Sequence, residues 1–269
     1  MRNKLTDELA VCGFNAALAL GRCHPEKINR LFLREDRLPA FSQVCKQLAE
    51  RKRPYKICGD EELERICKSP RHQGVAAMME TPGLEDLTEA DLYRWAAEGK
   101  TGLVLHAVGN DHNLGAMVRA AAFFDCPLVV LSEGDSEARL STSAYRVAEG
   151  GMEFVEFRRV RNIAAFLRAA SQYIVTIGTG PRARLRIRDL GGIVQDQGKK
   201  LKAPPSGAAG LRSGGRPGIA LTLGNEESGL PRDVAENCSA LIRVPGAGNI
   251  ESLNVAQAAS LFLHELYEL

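Results

Sequence analysis

From residue 103 onward the chain alternates short apolar runs with helical stretches, and that rhythm leaves few architectures open. LVLHAV (103–108) is followed by NLGAMVRAAAFF (113–124), PLVVLS (127–132), a helical segment at 142–148, FVEF (154–157), another helical segment at 163–170 and YIVTIG (173–178). After a break come GIALTLG (218–224), a short helix from Pro231, ALIRV (240–244) and a closing helix. Strands separated by helices at this spacing predict an α/β fold with a mostly parallel sheet covered on both faces. Such sheets bind ligands in the loops at the carboxyl ends of their strands. In the closing helix Val255, Ala259, Phe262, Leu266 and Leu269 step by four and three residues, which predicts one packed face.

Residues 11–80 carry a shorter alternation, with helices near 15–20, 40–51 and 60–67 and strands at 28–34, 55–58 and 74–79. That is the pattern of one small α/β domain. Thr81-Pro82-Gly83 breaks it, and Thr88 with Asp91 opens a helix through Leu92, Trp95 and Ala96. The expected organisation is a domain at 1–80, a linker at 81–100 and a second domain at 101–269, in keeping with what 269 residues hold. Within the second domain, 181–216 is a Gly/Pro-rich insertion carrying nine Lys and Arg against two Asp, while the whole chain has a net charge of only +2. A segment of that kind is either a solvated insertion or a nucleic-acid contact.

Other features exclude function classes. The seven cysteines form no C-x-x-C pair, which fits neither a disulfide framework nor a zinc site and predicts reduced thiols in a cytoplasmic protein. Asp7 and Glu8 precede the first short apolar run, no clear signal-cleavage pattern follows, and no stretch is apolar enough to span a bilayer. No membrane partner is expected. GGIVQDQGKK has the wrong spacing for a P-loop, and no G-x-G-x-x-G opens a helix after a strand, which argues against a nucleotide-dependent enzyme.

The candidate residues sit in the loops after strands. Arg119 has Gly115, Ala116, Ala122 and Phe123 as helical neighbours, with no carboxylate among them, and Leu114, Val118 and Ala121 make the other face apolar. A helix apolar all round is expected to be buried, and a buried guanidinium needs acceptors. Arg119 therefore either snorkels to solvent, or meets a carboxylate from another element, or grips a phosphate that its planar fork of donors matches. Asn113, at the helix start, reads by itself as an N-cap. LTLGNEESGLP is a buried strand followed by a Gly224-Asn225-Glu226 turn, where glycine permits close approach of a ligand. IRVPGAGNIESLN is a strand, a Pro-Gly turn and a polar helix entry, in which Ser252 and Asn254 stand where caps stand and Gln257 follows Asn254 as in a capping box.

Taken together these loops are far more specific. Asn113-x5-Arg119, LGNE-x2-GL from Leu223 to Leu230, and V-P-G-x5-SLNV from Val244 to Val255, in that order, resemble the three motifs of SpoU-type (TrmH-like) RNA 2′-O-ribose methyltransferases of the SPOUT superfamily. The resemblance covers roughly residues 101–269. INRLFL, RPYKICGDEEL and HQGVAA resemble the ribosomal-protein-like RNA-binding domain that often precedes it. It implies a small N-terminal α/β substrate-binding domain and a C-terminal parallel-sheet SPOUT domain closed by a deep trefoil knot, an exception to the rule that chains are unknotted. It implies bound S-adenosylmethionine, with S-adenosylhomocysteine as product and no metal, held by backbone at Gly224, Val244 and Leu253. It implies catalytic roles for Arg119, Glu226, Ser252 and Asn254, with Asn113 beside them, and a homodimer formed through the knot. RNA is the implied partner, rRNA before tRNA.

The chemistry so implied is methyl transfer from a sulfonium to a ribose hydroxyl, which asks for in-line positioning and removal of one proton. A guanidinium keeps its own proton at neutral pH, so Arg119 is expected to clamp an RNA phosphate while the hydroxyl proton leaves through that phosphate or water. The rival is a catalytically silent RNA-binding protein with the same knotted fold; the intact Arg119, Ser252 and Asn254 argue against it. Glu227, where a small residue is common in the family, and the long basic insertion are departures that bear on substrate choice.

Overall fold

The computed structural model describes residues 8–134, 139–205 and 215–269; Asp7 and Arg212, counted above for their charge, lie outside them. The chain divides into two compact units, one of Met1–Gly83, Leu114–Arg119 and Arg139–Phe154, the other of Leu84–Asn113, Ala120–Ala138 and Val155–Leu269.

The first unit runs β1 (Glu8–Cys12), α1 (Phe14–Cys23), β2 (Ile28–Leu33), α2 (Leu38–Glu50), β3 (Tyr55–Ile57), α3 (Asp60–Cys67) and β4 (Val75–Glu80). Its four-stranded sheet has the order β1-β4-β2-β3, with β1 and β2 antiparallel to β4 and β3 parallel to β2. Helices α1 and α2 contribute the fully buried Leu20, Phe41 and Leu48. Strand β1 has no counterpart among the sequence expectations because ELAVC is buried at every position and so lacks the alternation that marks a half-exposed strand.

Helix α3 packs into an apolar cluster of Ala10, Cys12, Leu63, Cys67, Ala76 and Met78. There Cys12 and Cys67 are bonded through their sulfurs, with Cα atoms 6.2 Å apart. This corrects the expectation of seven reduced thiols, since five cysteines are free. The two are 55 residues apart in sequence, and only the docking of α3 on the sheet brings them within bonding reach. Alkylation of the denatured, unreduced protein is therefore expected to label five cysteines, rising to seven after reduction, as read by mass spectrometry. Seven labels at the outset would show that the pair stands reduced.

From residue 84 the elements are β5 (Glu85–Asp86), α4 (Glu89–Glu98), β6 (Thr101–Leu105), α5 (Asp111–Phe123), β7 (Leu128–Ser132), α6 (Thr142–Ala148), β8 (Glu156–Val160) and α7 (Ile163–Ala170). They continue with β9 (Val175–Thr179), β10 (Leu185–Arg186), α8 (Leu190–Gly198), β11 (Ile219–Leu223), α9 (Arg232–Glu236), β12 (Ala240–Arg243) and α10 (Val255–Tyr267). Helix α6 belongs to the first unit and α5 is shared. The strands form an eight-stranded sheet of order β10-β12-β9-β11-β6-β7-β8-β5, parallel at every pairing. Strands β6, β7 and β11 are buried at every position, as sheets covered on both faces require.

Local signals place the helices. Thr88 and Asp91 close a capping box on α4, each side chain accepting the other's backbone N–H at 3.2 and 3.0 Å. Gly102 leaves room for Trp95, whose ring would lie 2.4 Å from a Cβ there. Helix α10 buries Val255, Ala259, Phe262 and Leu266 as its periodicity predicts, but Leu269 lies beyond the helix end and is 51% exposed.

The segment read as an insertion at 181–216 is in part an ordered crossover, because β10 and α8 occupy 185–198 between β9 and β11. Helix α8 buries Leu190 and Val194 one turn apart, while its three glycines hide it from propensity. Strand order now fixes where a ligand belongs. The chain steps outward from β6 through β7 to β8, then returns to the other side of β6, where β11 lies against it. The loops after β6 and β11 therefore flank the point at which connection order reverses.

Candidate active site

Helix α5 starts just beyond β6, and Asn110 is its cap, accepting the His112 N–H at 2.8 Å. This corrects the reading of Asn113 as the cap. With that role filled three residues earlier, the Asn113 amide is available for contacts outside the helix. It donates from Nδ2 to Glu226 Oε1 at 2.6 Å, and its Oδ1 accepts from Asn254 Nδ2 at 3.1 Å. Asn254 in turn caps α10, its Oδ1 accepting the Ala256 N–H at 2.9 Å. A single line of hydrogen bonds thus runs from the mouth of α10 through α5 to the Glu226 carboxylate, an acceptor that strengthens the bond it receives.

Glu226 is held by the turn after β11. Gly224 is buried, and a Cβ on it would lie 2.3 Å from the carbonyl carbon of Gly229, so only glycine lets the two limbs of the turn meet. Asn225, which the sequence marks only as a member of the turn, organises it. Its Nδ2 donates to the Ala107 carbonyl at 2.9 Å, and its Oδ1 accepts the N–H groups of Glu227 and Ser228 at 2.9 and 3.1 Å. The signal lies in the sequence, since an Asn in a polar turn whose side chain accepts the N–H of the residue two positions on makes an Asx-turn. On the neighbouring strand end, His106 donates its N–H to the Leu223 carbonyl at 2.9 Å, and its buried Nδ1 has no hydrogen-bond partner among the described residues.

The third loop follows β12. Val244 is half-buried, while Ser252, Leu253 and the apolar Ile250 are exposed. Among the described residues, the backbone of 245–253 hydrogen-bonds to nothing, and the Glu251 carboxylate meets Arg182 at 3.6 Å. The loop therefore offers free donors, free acceptors and apolar side chains at once.

Arg119 stands apart. Of the alternatives the sequence leaves for Arg119, an acceptor in the interior or reach into solvent, the structure shows the second, because α5 buries Leu114, Met117, Val118 and Ala121 and turns Arg119 and Phe123 outward. Along the helix it lies about 9 Å from Asn113 and about a third of a turn away in azimuth. So Asn113, Glu226 and Asn254 come together, Gly224, Val244, Ser252 and Leu253 lie in the loops that carry them, and Arg119 does not join that line.

Comparison with known proteins gives this arrangement its family. The profile of the SpoU rRNA methylase family matches residues 100–264, well over half of the chain. The chain belongs to the SpoU family. A second profile, RNA 2′-O ribose methyltransferase substrate binding, matches residues 10–83. The 23S rRNA (guanosine-2′-O-)-methyltransferase RlmB of Nitrosomonas europaea is 31% identical over 265 residues, covering 98% of this chain and 92% of its own. The enzyme of the same description from Ralstonia nicotianae is 31% identical, with 94% and 92% covered. Among solved structures, the AdoMet-bound rRNA methyltransferase of Sinorhizobium meliloti superposes with a TM-score of 0.72 at 21% identity, over 99% of this chain and 89% of that one, which shows a shared fold. As a SpoU protein the chain is an RNA ribose 2′-O-methyltransferase.

Proposed function

We propose that the chain methylates the 2′-hydroxyl of a guanosine in 23S rRNA, as the names of its relatives from N. europaea and R. nicotianae describe for them. The supporting observation is the Asn254–Asn113–Glu226 line, which ties the first turn of α5, beyond β6, to the loops after β11 and β12 through residues 113 and 141 positions apart. A protein kept only to bind RNA has no need of that convergence.

The residues present fit the cofactor. Free backbone groups at 245–253, exposed Ile250 and Leu253, and the orphaned His106 Nδ1 suit a ligand that is polar and apolar by turns. Gly224, Val244 and Leu253 hold it in this reading. S-adenosylmethionine supplies an electrophilic methyl group on a sulfonium. Glu226 and Asn113 fix the loops that position the ribose oxygen, and Ser252 and Asn254 line the entry to α10. Arg119 grips an RNA phosphate through which, or through water, the hydroxyl proton departs.

The same reading makes the protein a cytoplasmic homodimer with its carboxyl-terminal segment threaded as the family's trefoil knot. Phe123 is 79% exposed on the outward face of α5, four residues after Arg119. Covering that face with a second copy removes the exposed aromatic ring from water. Phe123→Glu is expected to shift the protein from dimer to monomer in sedimentation; an unchanged dimer would move the interface elsewhere.

Labelled-methyl transfer to unmodified 23S, 16S and transfer RNA transcripts tests the substrate, with incorporation into 23S expected and mapped to one guanosine. Calorimetric titration tests the pocket. S-adenosylmethionine and S-adenosylhomocysteine are expected to bind with Kd on the order of micromolar, and Leu253→Arg to abolish both. Undiminished binding by that variant would place the cofactor outside this loop.

A further inference from the structure

The first unit matches a substrate-binding profile, yet that match assigns no surface to RNA. One stretch of it is built unlike the rest. Residues 51–57, RKRPYKI, are exposed without interruption and carry four cations and no acid. The backbone of this stretch is not loose. Arg51 and Arg53 donate their N–H groups to carbonyls in the last turn of α2, the second to Leu48 at 2.8 Å, and Lys52 takes the left-handed conformation at φ 56°. The turn therefore presents three cationic side chains from a fixed base.

Their charges are largely uncommitted. Arg51 and Lys52 form no ion pair with a described residue, and Arg53 donates to the neutral Asn29 amide. Lys56 differs, since Glu62 neutralises it at 2.7 Å. Beside the triplet, Tyr55 and Ile57 are 46% and 47% exposed on β3, the open edge of the sheet, although their register partners Leu31 and Leu33 are wholly buried.

Two plain accounts explain part of this. Cations after a helix complement its carboxyl end, and Lys and Pro on an edge strand discourage aggregation. Neither gives a use to an exposed tyrosine next to three free cations. The edge also suits an added peptide strand poorly, because β3 has three residues and Pro54 before it has no N–H to offer. A polymer that brings phosphates for the cations and flat base faces for the ring fits what is left.

We propose that Arg51, Lys52, Arg53 and Tyr55 form an RNA contact on the substrate-binding unit, the cations on backbone phosphates and Tyr55 stacked on an unpaired base. The proposal rests on the reading of RNA as substrate and names the surface that meets it.

The test uses the full chain and an unmodified 23S rRNA transcript, with affinity measured across a salt series. Replacing all three cations, Arg51→Gln with Lys52→Gln and Arg53→Gln, is expected to lower the slope of log affinity against log salt by about 2 and to raise KM for RNA tenfold or more. S-adenosylmethionine affinity, kcat and melting temperature should stay as in the parent. Tyr55→Ala is expected to weaken binding about tenfold at every salt concentration with the slope unchanged, and Tyr55→Phe to restore it. Arg65→Gln, an exposed cation of the same unit, serves as control. An unchanged salt slope and KM in the triple variant overturns the proposal. So does a loss of affinity that merely follows a fall in melting temperature, as a helix-end role would give. If the parent protein selects the 16S or a transfer RNA transcript instead, the 23S reading falls, and the same variants measured on the selected RNA decide the surface.

Discussion

Arg119→Lys is expected to lower single-turnover methylation on the order of a hundredfold, while S-adenosylmethionine affinity and melting temperature stay unchanged. The side chain is exposed, and substitutions at such positions usually shift stability by no more than about 0.5 kcal/mol, so misfolding cannot account for the loss. Lysine keeps the charge. What it lacks is the planar fork that holds a phosphate through two parallel hydrogen bonds, and a point charge on a flexible stem does not fix the phosphate's orientation. The deficit should persist at saturating RNA, placing it in kcat. Near-normal turnover would reduce the role of Arg119 to charge alone and sink the bidentate clamp.

Gly224→Ala is expected to weaken S-adenosylmethionine binding tenfold or more and to cost about 1–3 kcal/mol of stability. Its Cβ would stand 2.3 Å from both the carbon and the oxygen of the Gly229 carbonyl and 2.5 Å from the Leu230 nitrogen, all backbone atoms that no rotamer change can move. Relief requires the turn to open. Because Asn225 ties this turn to Ala107 and to the N–H groups of Glu227 and Ser228, it moves as a piece and draws Glu226 away from Asn113. Gly229→Ala is the informative comparison. That residue has φ 69° but open space where a Cβ would go, so its penalty is left-handed backbone strain of about 1–2 kcal/mol, with cofactor affinity largely kept. Calorimetry on the two variants separates the effects; equal losses of affinity would mean that the close approach at Gly224 is not what shapes the pocket.

Much of the fold was legible because its signals are local. The α6 and α7 segments, the capping box at Thr88 and Asp91, and the buried stripe of α10 all rest on side chains within four residues of one another. Where local signals compete, the structure departs from expectation. Asn110 and Asn113 are both sound caps by type, and nothing within a helical turn reveals that Asn110 takes the position. Helix α8 was hidden by glycine, and β1 by uniform burial.

The sequence by itself determined the alternation of most strands and helices and the three polar loops after β6, β11 and β12, since periodicity and turn chemistry act over a few residues. Only the tertiary structure decided that Asn113 reaches Glu226 and Asn254, that Arg119 faces outward, and that Cys12 meets Cys67. Those outcomes depend on which strands lie side by side. Strand β11 enters between β9 and β6 across more than a hundred residues of chain, a pairing set by burial of whole surfaces and written in no local stretch.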